Sequence, residues 1–367
     1  MGPLNGIKVL EFSGIGPGPY CGMLLADLGA DVIRLSRLNE KGMYNKFDIH
    51  NRSKRTIVAD LKNPKAIKEI KKLIKEMDVL FEGFRPGVME KLGLGPESCF
   101  KLNKSLVYGR MTGWGQDGPM SNQAGHDINY ISLSGALNAI GDKNSNPSIP
   151  LNLIGDYGGG GMMLAMGILA GVISSSKTGK GQVIDAAMID GSLSLMSFFY
   201  SLKAMGIWKD KRKSNLLDGA AHFYDTYKCS DNKYIAVGSI ESQFYKILLD
   251  KLELTDPRFK NQMDQSMWEE LKEIIATKIK SQSRDHWVEI FSDTDGCVTP
   301  VLNMDEAQEH KHNISRESFI NLEGFNQPAP APRFSNDTLS IKHNAKEIGS
   351  DIDNICDEFN LDTEAFS

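Results

Sequence analysis

With 367 residues, the chain is long enough to bury a sizeable core and to divide into two domains or one large domain with a smaller lobe. Hydrophobic residues account for 41% and charged residues for 24%, which is ordinary for a soluble α/β protein and excludes the disordered and fibrous classes. The formal net charge of −5 argues against a general nucleic-acid binder, which needs a basic surface to neutralise phosphates.

Cysteine and histidine usage gives no sign of a metal site or of a disulfide framework. The 5 cysteines are scattered and lack C-x-x-C spacing, and no pair among the 7 histidines has the spacing of metal ligands on a helix. The chain opens directly into a strand-like run, without a secretion signal. Its longest apolar stretch, residues 162–173, is shorter than the roughly 20 residues that span a bilayer. We therefore expect a cytoplasmic protein with no metal and no membrane segment.

Strands alternate with helices through the first part of the chain. Strands are predicted at residues 8–12, 31–35, 56–61, 79–81 and 106–108, and helices at 20–28, from Asn63 to Met77, and at 96–102. The Asn63-Pro64 pair is a helix start, because proline suits the first helical position. This alternation predicts an α/β fold with a doubly wound parallel sheet.

The second half of the chain has a different character. Residues 158–176 and 190–207 are small and apolar over lengths that predict buried helices. The charge run at 209–213 then indicates an exposed connection. A second unit begins near Tyr224, with a strand at 234–237 and helices after it, and ends near Val301.

The glycine-rich turn after the first predicted strand only partly matches a dinucleotide-binding fingerprint. Gly14 and Gly16 fit, but Pro19 occupies the place of the third glycine. The second strand ends in Arg34 and Arg37 rather than in the carboxylate that accepts a ribose hydroxyl. A nicotinamide enzyme is therefore disfavoured, and the basic strand end suits a phosphorylated ribose or a pyrophosphate better.

Further basic residues lie near the ends of predicted strands: Arg52, Lys54, Arg55, Lys62, Arg85 and Lys91. Ligands of doubly wound sheets bind beyond the carboxyl ends of the strands, where Lys62 and Arg85 are placed to converge on one anion. Each of these residues, taken alone, is equally consistent with a solvated surface charge.

Two titratable residues stand beside glycines in the middle of the chain. His126 follows Gly125 and precedes an apolar segment, a setting that suits a structural histidine as well as a catalytic one. Asp156 precedes four consecutive glycines, 158–161, and a long apolar helix. The glycines either leave room for a backbone contact that stabilises an oxyanion, or they allow close helix packing while Asp156 merely caps the helix.

Several motifs together are typical of one family. They are Gly-Ile-Gly-Pro-Gly-Pro at 14–19, Ala-Asp-Leu-Gly-Ala-Asp-Val at 26–32, Val-Ala-Asp-Leu-Lys at 58–62, Gly-Phe-Arg-Pro-Gly-Val at 83–88 and Gly-Arg-Met-Thr-Gly-Trp-Gly-Gln at 109–116. From Leu4 to about Phe334, the chain resembles the CaiB/BaiF-like family III CoA transferases, and within them the racemases of α-methylacyl-CoA thioesters.

Three segments carry the resemblance to the racemase branch. Residues 124–130 match the segment that holds the racemase histidine, residues 155–160 match the segment of the catalytic aspartate, and residues 236–244 match a stretch whose glutamate bonds the histidine. Transferase relatives typically lack a histidine at the position of His126. The resemblance therefore implies an isomerase in which His126 and Asp156 are catalytic and Glu241 orients His126.

The resemblance also implies where the CoA part of the substrate binds. The residues that match the family's CoA contacts are Arg37, Ala59, Lys62, Gly83, Arg85, Lys91, Gly125 and Tyr130. Position 91 is often arginine in related racemases, and Lys91 keeps the charge without the bidentate geometry. Ser242 stands where a proline is common, which leaves the backbone of Glu241 less constrained. Because CoA arrives with the substrate, no separate cofactor is expected.

The implied architecture is a Rossmann-like large domain built from both ends of the chain, with a smaller α+β domain in the middle. We expect the large domain to comprise residues 1–190 and 325–367, the small domain 224–305, and the linkers 191–223 and 306–324. The resemblance further implies an interlocked homodimer whose active sites lie between the large domain of one subunit and the small domain of the other.

The expected chemistry is inversion of the carbon beside the thioester carbonyl, which requires one group to remove a proton and another to deliver one to the opposite face. A neutral histidine suits the first task near neutral pH. Asp156 would have to hold a proton, which a desolvated apolar pocket favours. The alternatives are a CoA transferase in which Asp156 attacks acyl-CoA to form a mixed anhydride, and a noncatalytic CoA-binding protein.

Overall fold

The computed structural model describes residues 2–366. Its strands are, in chain order, β1 (Lys8–Phe12), β2 (Asp31–Arg37), β3 (Arg55–Ala59), β4 (Val79–Glu82), β5 (Val107–Thr112), β6 (Gln182–Ala187), β7 (Tyr224–Lys228), β8 (Tyr234–Gly238), β9 (Val298–Val301), β10 (Phe319–Leu322) and β11 (Phe325–Pro328).

The helices are, in chain order, α1 (Pro17–Asp27), α2 (Pro64–Lys75), α3 (Val88–Lys91), α4 (Pro96–Leu102), α5 (Asp127–Leu133), α6 (Ala136–Ala139), α7 (Met162–Thr178), α8 (Met188–Leu195), α9 (Ser197–Ala204), α10 (Ser242–Lys251), α11 (Trp268–Lys280), α12 (Arg284–Phe291), α13 (Met304–Glu309), α14 (Lys311–Ser315) and α15 (Ile352–Phe359). A π-helix, Leu153–Gly161, leads directly into α7.

The predicted parallel α/β sheet is confirmed. Its six strands lie in the order β3-β2-β1-β4-β5-β6, and all neighbouring pairs are parallel. This is the order of a doubly wound sheet, in which the direction of winding reverses between β1 and β4. Loops that follow these strands therefore meet at one edge, the carboxyl edge of the sheet.

Helices cover both faces of this sheet, and consecutive strand residues face opposite cores. Leu10 and Leu80 pack with α2, α4 and α15 on one face. Val9 and Val79, the residues just before them, pack with α1 and α7 on the other face. Because both faces are buried, the strands are apolar throughout rather than alternately apolar and polar.

The helix starts agree with the signals in the sequence where a capping residue or a proline is present. The side chain of Asn63 accepts a hydrogen bond from the Lys65 backbone N–H at 2.9 Å, and Pro64 occupies the first helical position, which confirms the predicted start of α2. Helix α1 begins at Pro17, three residues before the predicted start, because Gly16 takes the N-cap position and proline is tolerated in the first turn.

The prediction that residues 158–176 and 190–207 form buried helices is only partly right. Leu164 and Ile168 of α7 lie in the core, but Met162 and Met166 are 54% and 60% exposed. Residues 190–207 fall in α8, α9 and the turn after them, where Phe198, Met205 and Ile207 are also exposed; these helices have an apolar face that the single chain leaves uncovered.

The π-helix and α7 together run from Leu153 to Thr178, which is longer than the apolar stretch noted in the sequence. By length and composition alone, these 26 residues could cross a membrane. Their most apolar window is 44% buried within the protein, and buried core helices commonly satisfy the same criterion.

The chain forms two compact units. Unit 1 comprises residues 1–136, 150–197 and 315–367, and unit 2 comprises residues 137–149 and 198–314. Unit 2 contains the antiparallel sheet β7-β8-β9, on which α11 and α12 pack around a core that includes Phe223, Leu271 and Trp287. The segment 191–223, expected to be a linker, is thus divided between the two units.

Candidate active site

His126 occupies the N-cap position of α5 in unit 1. Its backbone N–H donates to Oδ1 of Asn129 at 3.0 Å, and its carbonyl oxygen accepts from the Asn129 N–H at 2.8 Å. These reciprocal bonds fix the backbone at the start of the helix. The residue itself is exposed, so the imidazole is available to a ligand.

An aromatic pair supports the loop that precedes His126. Tyr130 packs edge-to-face against Trp114, with 4.8 Å between the ring centroids, and its hydroxyl donates to the carbonyl oxygen of Gly125. A Cβ atom on Gly113 or Gly125 would lie 2.1 Å or 2.8 Å from the Tyr130 ring, so both positions require glycine. The family resemblance gave Gly125 and Tyr130 as CoA contacts; the tyrosine is 6% exposed and its hydroxyl already supports the loop.

Asp156 lies within the π-helix rather than at its start, so the interpretation of this residue as a helix cap is wrong. Its carboxylate is half-buried, and Oδ2 accepts a hydrogen bond from Nδ2 of Asn152 at 3.0 Å. The same oxygen lies 3.0 Å from the place where a Cβ atom on Gly16 would be, and Gly16 has a φ of +65°. The glycine-rich turn after β1 thus lies beside Asp156, at the N-terminus of α1.

Asp127, the residue after His126, links the two catalytic candidates. Its buried Oδ1 accepts a hydrogen bond from the backbone N–H of Asp156 at 2.8 Å. A Cβ atom on Gly155 would lie 2.4 Å from this oxygen, so only glycine fits there. Burial raises the pKa of Asp127, while bonds from the Asp156 and Gly155 N–H groups oppose the rise. One carboxylate therefore ties the start of α5 to the segment that carries Asp156.

The glycine run that follows Asp156 serves helix packing. Cβ atoms on Gly159, Gly160 and Gly161 would lie within 3.0 Å of atoms in α8 or α1. All three residues are buried inside the π-helix. The structure thus supports close packing rather than a loop with amides free to stabilise an oxyanion. The absence of side chains at these glycines allows the Asp156 segment to pack directly against α1.

A second aromatic cluster adjoins Asp156 and was not expected from the sequence. The rings of Tyr20, His50 and Tyr157 contact one another edge-to-face, with centroid distances of 5.0 to 5.7 Å. Burial lowers the pKa of His50, which favours its neutral form. Tyr157, the neighbour of Asp156, is thereby fixed between α1 and the segment that holds His50.

Most of the residues expected to bind CoA lie at the carboxyl edge of the large sheet. Arg37 and Ala59 are the last residues of β2 and β3 and stand opposite each other in the parallel register. Gly83 directly follows β4, and Lys91 is the last residue of α3. The main sheet therefore arranges these distant parts of the sequence along one edge, as doubly wound sheets do with their ligand-binding loops.

The basic residues of this edge are exposed and unpaired. Arg37, Lys62, Arg85 and Lys91 have no carboxylate within ion-pair distance among residues 2–366. By contrast, Arg52 and Lys54 are buried in ion pairs with Asp27 and Glu11. Arg52 and Lys54 thus stabilise the fold, whereas the four exposed side chains remain available to phosphates.

Glu241 belongs to unit 2, where it occupies the N-cap position of α10. Its side chain is exposed, and Ser242 is the first residue of the helix. The pKa of the nearby Cys297 thiol is raised chiefly by burial and further by the charge of Glu241. Within residues 2–366, no group of three His, Cys, Asp or Glu side chains is arranged to hold a metal ion.

The sequence did not reveal the roles of Asp127, Asn152 and Gly16. Each of these residues acts through a contact with Asp156, and the contacts of Asp127 and Gly16 join positions far apart in the chain. The one local signal was the position of Asp127 in the first turn of a helix that begins directly after His126. An acidic residue there is usually explained by the helix dipole alone.

Comparison with known proteins agrees with the motifs. The sequence profile of CoA-transferase family III matches residues 4–351. The chain is 45% identical over 329 residues to the alpha-methylacyl-CoA racemase of Mus musculus, covering 90% of this chain and 85% of that protein. It is 43% identical over 366 residues to the alpha-methylacyl-CoA racemase of Homo sapiens, covering 98% and 94%.

A solved structure shares the fold over nearly the whole length. The crystal structure of a CAIB/BAIF family protein from Brucella suis superimposes with a TM-score of 0.84 at 25% identity, covering 98% of this chain and 99% of that one. Since the profile spans nearly the whole sequence and two relatives exceed 40% identity, the chain belongs to CoA-transferase family III.

Proposed function

We propose that this protein is a racemase that inverts the α-carbon of 2-methylacyl-CoA thioesters by a two-base 1,1-proton transfer through an enolate. The racemases of mouse and human, at 43–45% identity over most of the chain, support this function. The structural observation that carries it is the hydrogen bond from the Asp156 N–H to Asp127, because it couples Asp156 to the helix that begins beside His126.

The chemistry needs two groups that can each hold or give up a proton. One takes the α-proton, which the adjacent thioester carbonyl makes weakly acidic, and the other delivers a proton to the opposite face of the enolate. Histidine exchanges protons readily near neutral pH, so His126 suits one role. Asp156 takes the complementary role, and the two exchange roles when the substrate has the opposite hand.

The CoA part of the substrate would lie along the carboxyl edge of the sheet. The exposed cations Arg37, Lys62, Arg85 and Lys91 are suited to phosphate groups, because no carboxylate of residues 2–366 forms an ion pair with them. The net charge of −5 makes this local basic edge distinct from the chain as a whole. A coenzyme A thioester, with its several phosphates, is a ligand that such an edge attracts.

A homodimer would cover the apolar faces of α7 and α9. Met162 and Met166 of α7 and Phe198 of α9 are each more than 50% exposed, and exposed apolar patches mark protein or membrane contacts. A second copy is the occupant we favour, since the inner face of α7 already packs in the core of unit 1. Light scattering should give twice the monomer mass, and the protein should not sediment with phospholipid vesicles.

In this dimer, Glu241 of one copy would orient His126 of the other. Mixing tests the arrangement, because chains that carry His126→Ala and chains that carry Glu241→Ala can form one intact site only in a heterodimer. Activity should exceed that of either variant alone. Activity no greater than that of the parent variants would contradict a shared site.

The decisive assay for the function is incubation of one 2-methylacyl-CoA epimer with purified protein in deuterated water, with and without an acceptor acid. The racemase should incorporate deuterium at C2 and lose optical purity, and it should need no acceptor. Acyl transfer to the acid without exchange at C2 would instead establish a CoA transferase with Asp156 as nucleophile.

A further inference from the structure

A row of charged side chains crosses the main sheet near its carboxyl edge. Glu82 on β4, Arg110 on β5 and Asp185 on β6 stand opposite one another in the parallel register, so they share one face of the sheet. Nε of Arg110 lies 3.8 Å from Oε1 of Glu82. Arg110 belongs to the 109–116 motif that is typical of the family, yet it has no part in the proposed proton transfer.

The guanidinium of Arg110 reaches beyond Glu82 to two other partners. One of its Nη groups donates to Glu90 and the other to Gln116. The residue is 8% exposed, although its partner Glu90 is 47% exposed. Burying a guanidinium group is unfavourable unless its partners compensate for the lost water. The two acceptors, together with the carboxylate of Glu82 at ion-pair distance, therefore hold Arg110 in one place, and Arg110 in turn holds them.

Glu82 and Glu90 lie at the two ends of a segment, residues 83–91, that carries three expected CoA contacts. Glu82 immediately precedes Gly83, and Glu90 immediately precedes Lys91, with Arg85 between them. Oε2 of Glu82 also accepts a hydrogen bond from the Phe84 backbone N–H at 2.7 Å. One arginine thus contacts both ends of the segment, and the carboxylate at the first end directly fixes its backbone.

We propose that Arg110 is a positioning residue for substrate binding: through Glu82 and Glu90 it holds residues 83–91 in the conformation that contacts CoA. This inference rests on the proposed function, since it concerns how the CoA thioester binds. In this role Arg110 acts through these carboxylates rather than through a contact of its own with the substrate. Its loss should therefore weaken substrate binding and leave the proton-transfer groups in place.

The electrostatics of Glu82 strengthen the link between Arg110 and this segment. Burial, with smaller contributions from the charges of Glu90 and Asp185, raises the pKa of Glu82 to about 7. The Phe84 N–H and Arg110 oppose the rise. Without Arg110 the pKa of Glu82 would rise further, so that a larger share of Glu82 would be protonated at neutral pH and the Phe84 N–H would more often bond to a weaker, uncharged acceptor. Removing Arg110 thus also weakens the backbone contact at Phe84.

The test compares Arg110→Met with a matched variant on the opposite edge of the same sheet. Arg55, the first residue of β3, also bridges two carboxylates, those of Asp31 and Glu358, but it is remote from the carboxyl edge. We would measure KM and kcat with a 2-methylacyl-CoA epimer, together with amide deuterium uptake by residues 83–91 in the free protein.

Arg110→Met should raise KM about 10-fold, as expected for a substrate that loses well-placed charged contacts, and change kcat much less. Deuterium uptake by residues 83–91 should become faster. Arg55→Met should leave KM and the deuterium uptake by residues 83–91 as in the parent protein, even if it lowers the melting temperature as much as Arg110→Met does. Unchanged KM in Arg110→Met, or an equal rise in Arg55→Met, would overturn the proposal.

Two further variants keep the result interpretable. If Arg110→Met does not fold, Glu90→Gln removes one charge from an exposed partner of Arg110, and it should raise KM in the same direction by a smaller factor. An unchanged KM in Glu90→Gln would overturn the proposal. Arg85→Ala tests the CoA site itself: if it too leaves KM unchanged, the assignment of residues 83–91 to CoA binding fails, not merely the role of Arg110.

Discussion

The two regions of unit 1 proposed to carry out proton transfer and CoA binding are built in opposite ways. Around His126 and Asp156, contacts are close: Asp127 bonds the Asp156 backbone, and glycines at 125 and 155 allow neighbouring groups to approach closely. Along the CoA edge, Arg37 and Arg85 are exposed and have no ion-pair partner among residues 2–366. Proton transfer requires fixed geometry, whereas phosphate binding requires available charge.

This difference predicts which kinetic constant each region controls. Changes near Asp156 should lower kcat, because they remove or displace a proton-transfer group. Changes at the carboxyl edge should raise KM, because they remove binding that the ground state and the transition state share. A variant that violates this division would show that the two regions are not separate.

The largest expected effect is that of Asp156→Asn. The amide cannot deliver a proton, so kcat for racemisation should fall by about 10²- to 10⁴-fold, the usual contribution of a general acid or base. The amide is isosteric and can still accept the hydrogen bond from Asn152, so folding should be unaffected. Steady-state polarimetry gives kcat, and circular dichroism checks the fold. A kcat within a few-fold of the parent value would remove Asp156 from the mechanism.

Arg85→Ala should produce the next largest effect, on substrate binding. Loss of a charge-assisted contact to a phosphate should raise KM by about 10- to 100-fold, with a much smaller change in kcat. Initial rates over a range of 2-methylacyl-CoA concentrations separate the two constants. A collapse of kcat at constant KM would contradict the placement of Arg85 on the CoA edge.

Asp127→Ala should weaken both the fold and the reaction. The buried Asp156 N–H would lose its acceptor, which lowers the free energy of unfolding by about 1 to 3 kcal/mol. Because the Asp156 segment would then move, kcat should fall more than KM rises. Asp127→Asn keeps an acceptor oxygen and is the matched control. Urea unfolding and rates for both variants test this, and equal behaviour of the two would contradict the hydrogen-bond account.

The smallest effect concerns stability alone, at Glu82. Its pKa is raised from 4.5 to about 7, chiefly by burial, so the folded state binds a proton more tightly than the unfolded state. Its contribution to stability is complete below pH 4.5 and is lost as the pH rises through about 7. The free energy of unfolding should fall with pH in this window, with a slope of at most about 1.4 kcal/mol per pH unit from this group.

Glu82→Gln is the variant that isolates this contribution, since Arg110, Glu90 and Asp185 are present in both proteins. Urea unfolding between pH 4.5 and 7.5 should show that the parent protein loses stability relative to Glu82→Gln as the pH rises. Parallel curves for the two proteins would mean that Glu82 titrates at an ordinary carboxyl pKa.

Local signals were enough to predict the parallel sheet and which residues lie at its carboxyl edge. Val9-Leu10 and Val79-Leu80 are apolar at consecutive positions, which is typical of strands covered on both faces, and Arg85 directly follows such a strand. Because the strands are parallel, any residue that directly follows a strand lies at the carboxyl edge of the sheet. These predictions therefore needed only the order of elements along the chain.

The support of the catalytic pair could not be predicted in this way. The contact between Asp127 and Asp156 joins residues 29 positions apart, and the approach of Gly16 to Asp156 joins the turn after β1 to the π-helix. Such contacts depend on packing rather than on a local pattern. The exposure of the apolar helix faces could not be predicted either. The sequence predicted buried helices at 158–176 and 190–207, because composition does not distinguish a core from a surface that a second chain would cover.

The two-base mechanism requires two groups that act on opposite faces of the enolate, and single variants test this requirement most directly. Asp156→Asn and His126→Asn are each incubated with each pure epimer in deuterated water, and deuterium at C2 is measured together with configuration. We predict that neither variant racemises, that each exchanges C2 hydrogen in one epimer with retention, and that the two prefer opposite epimers. Exchange of the same epimer by both variants, or continued racemisation by either, would contradict the two-base mechanism.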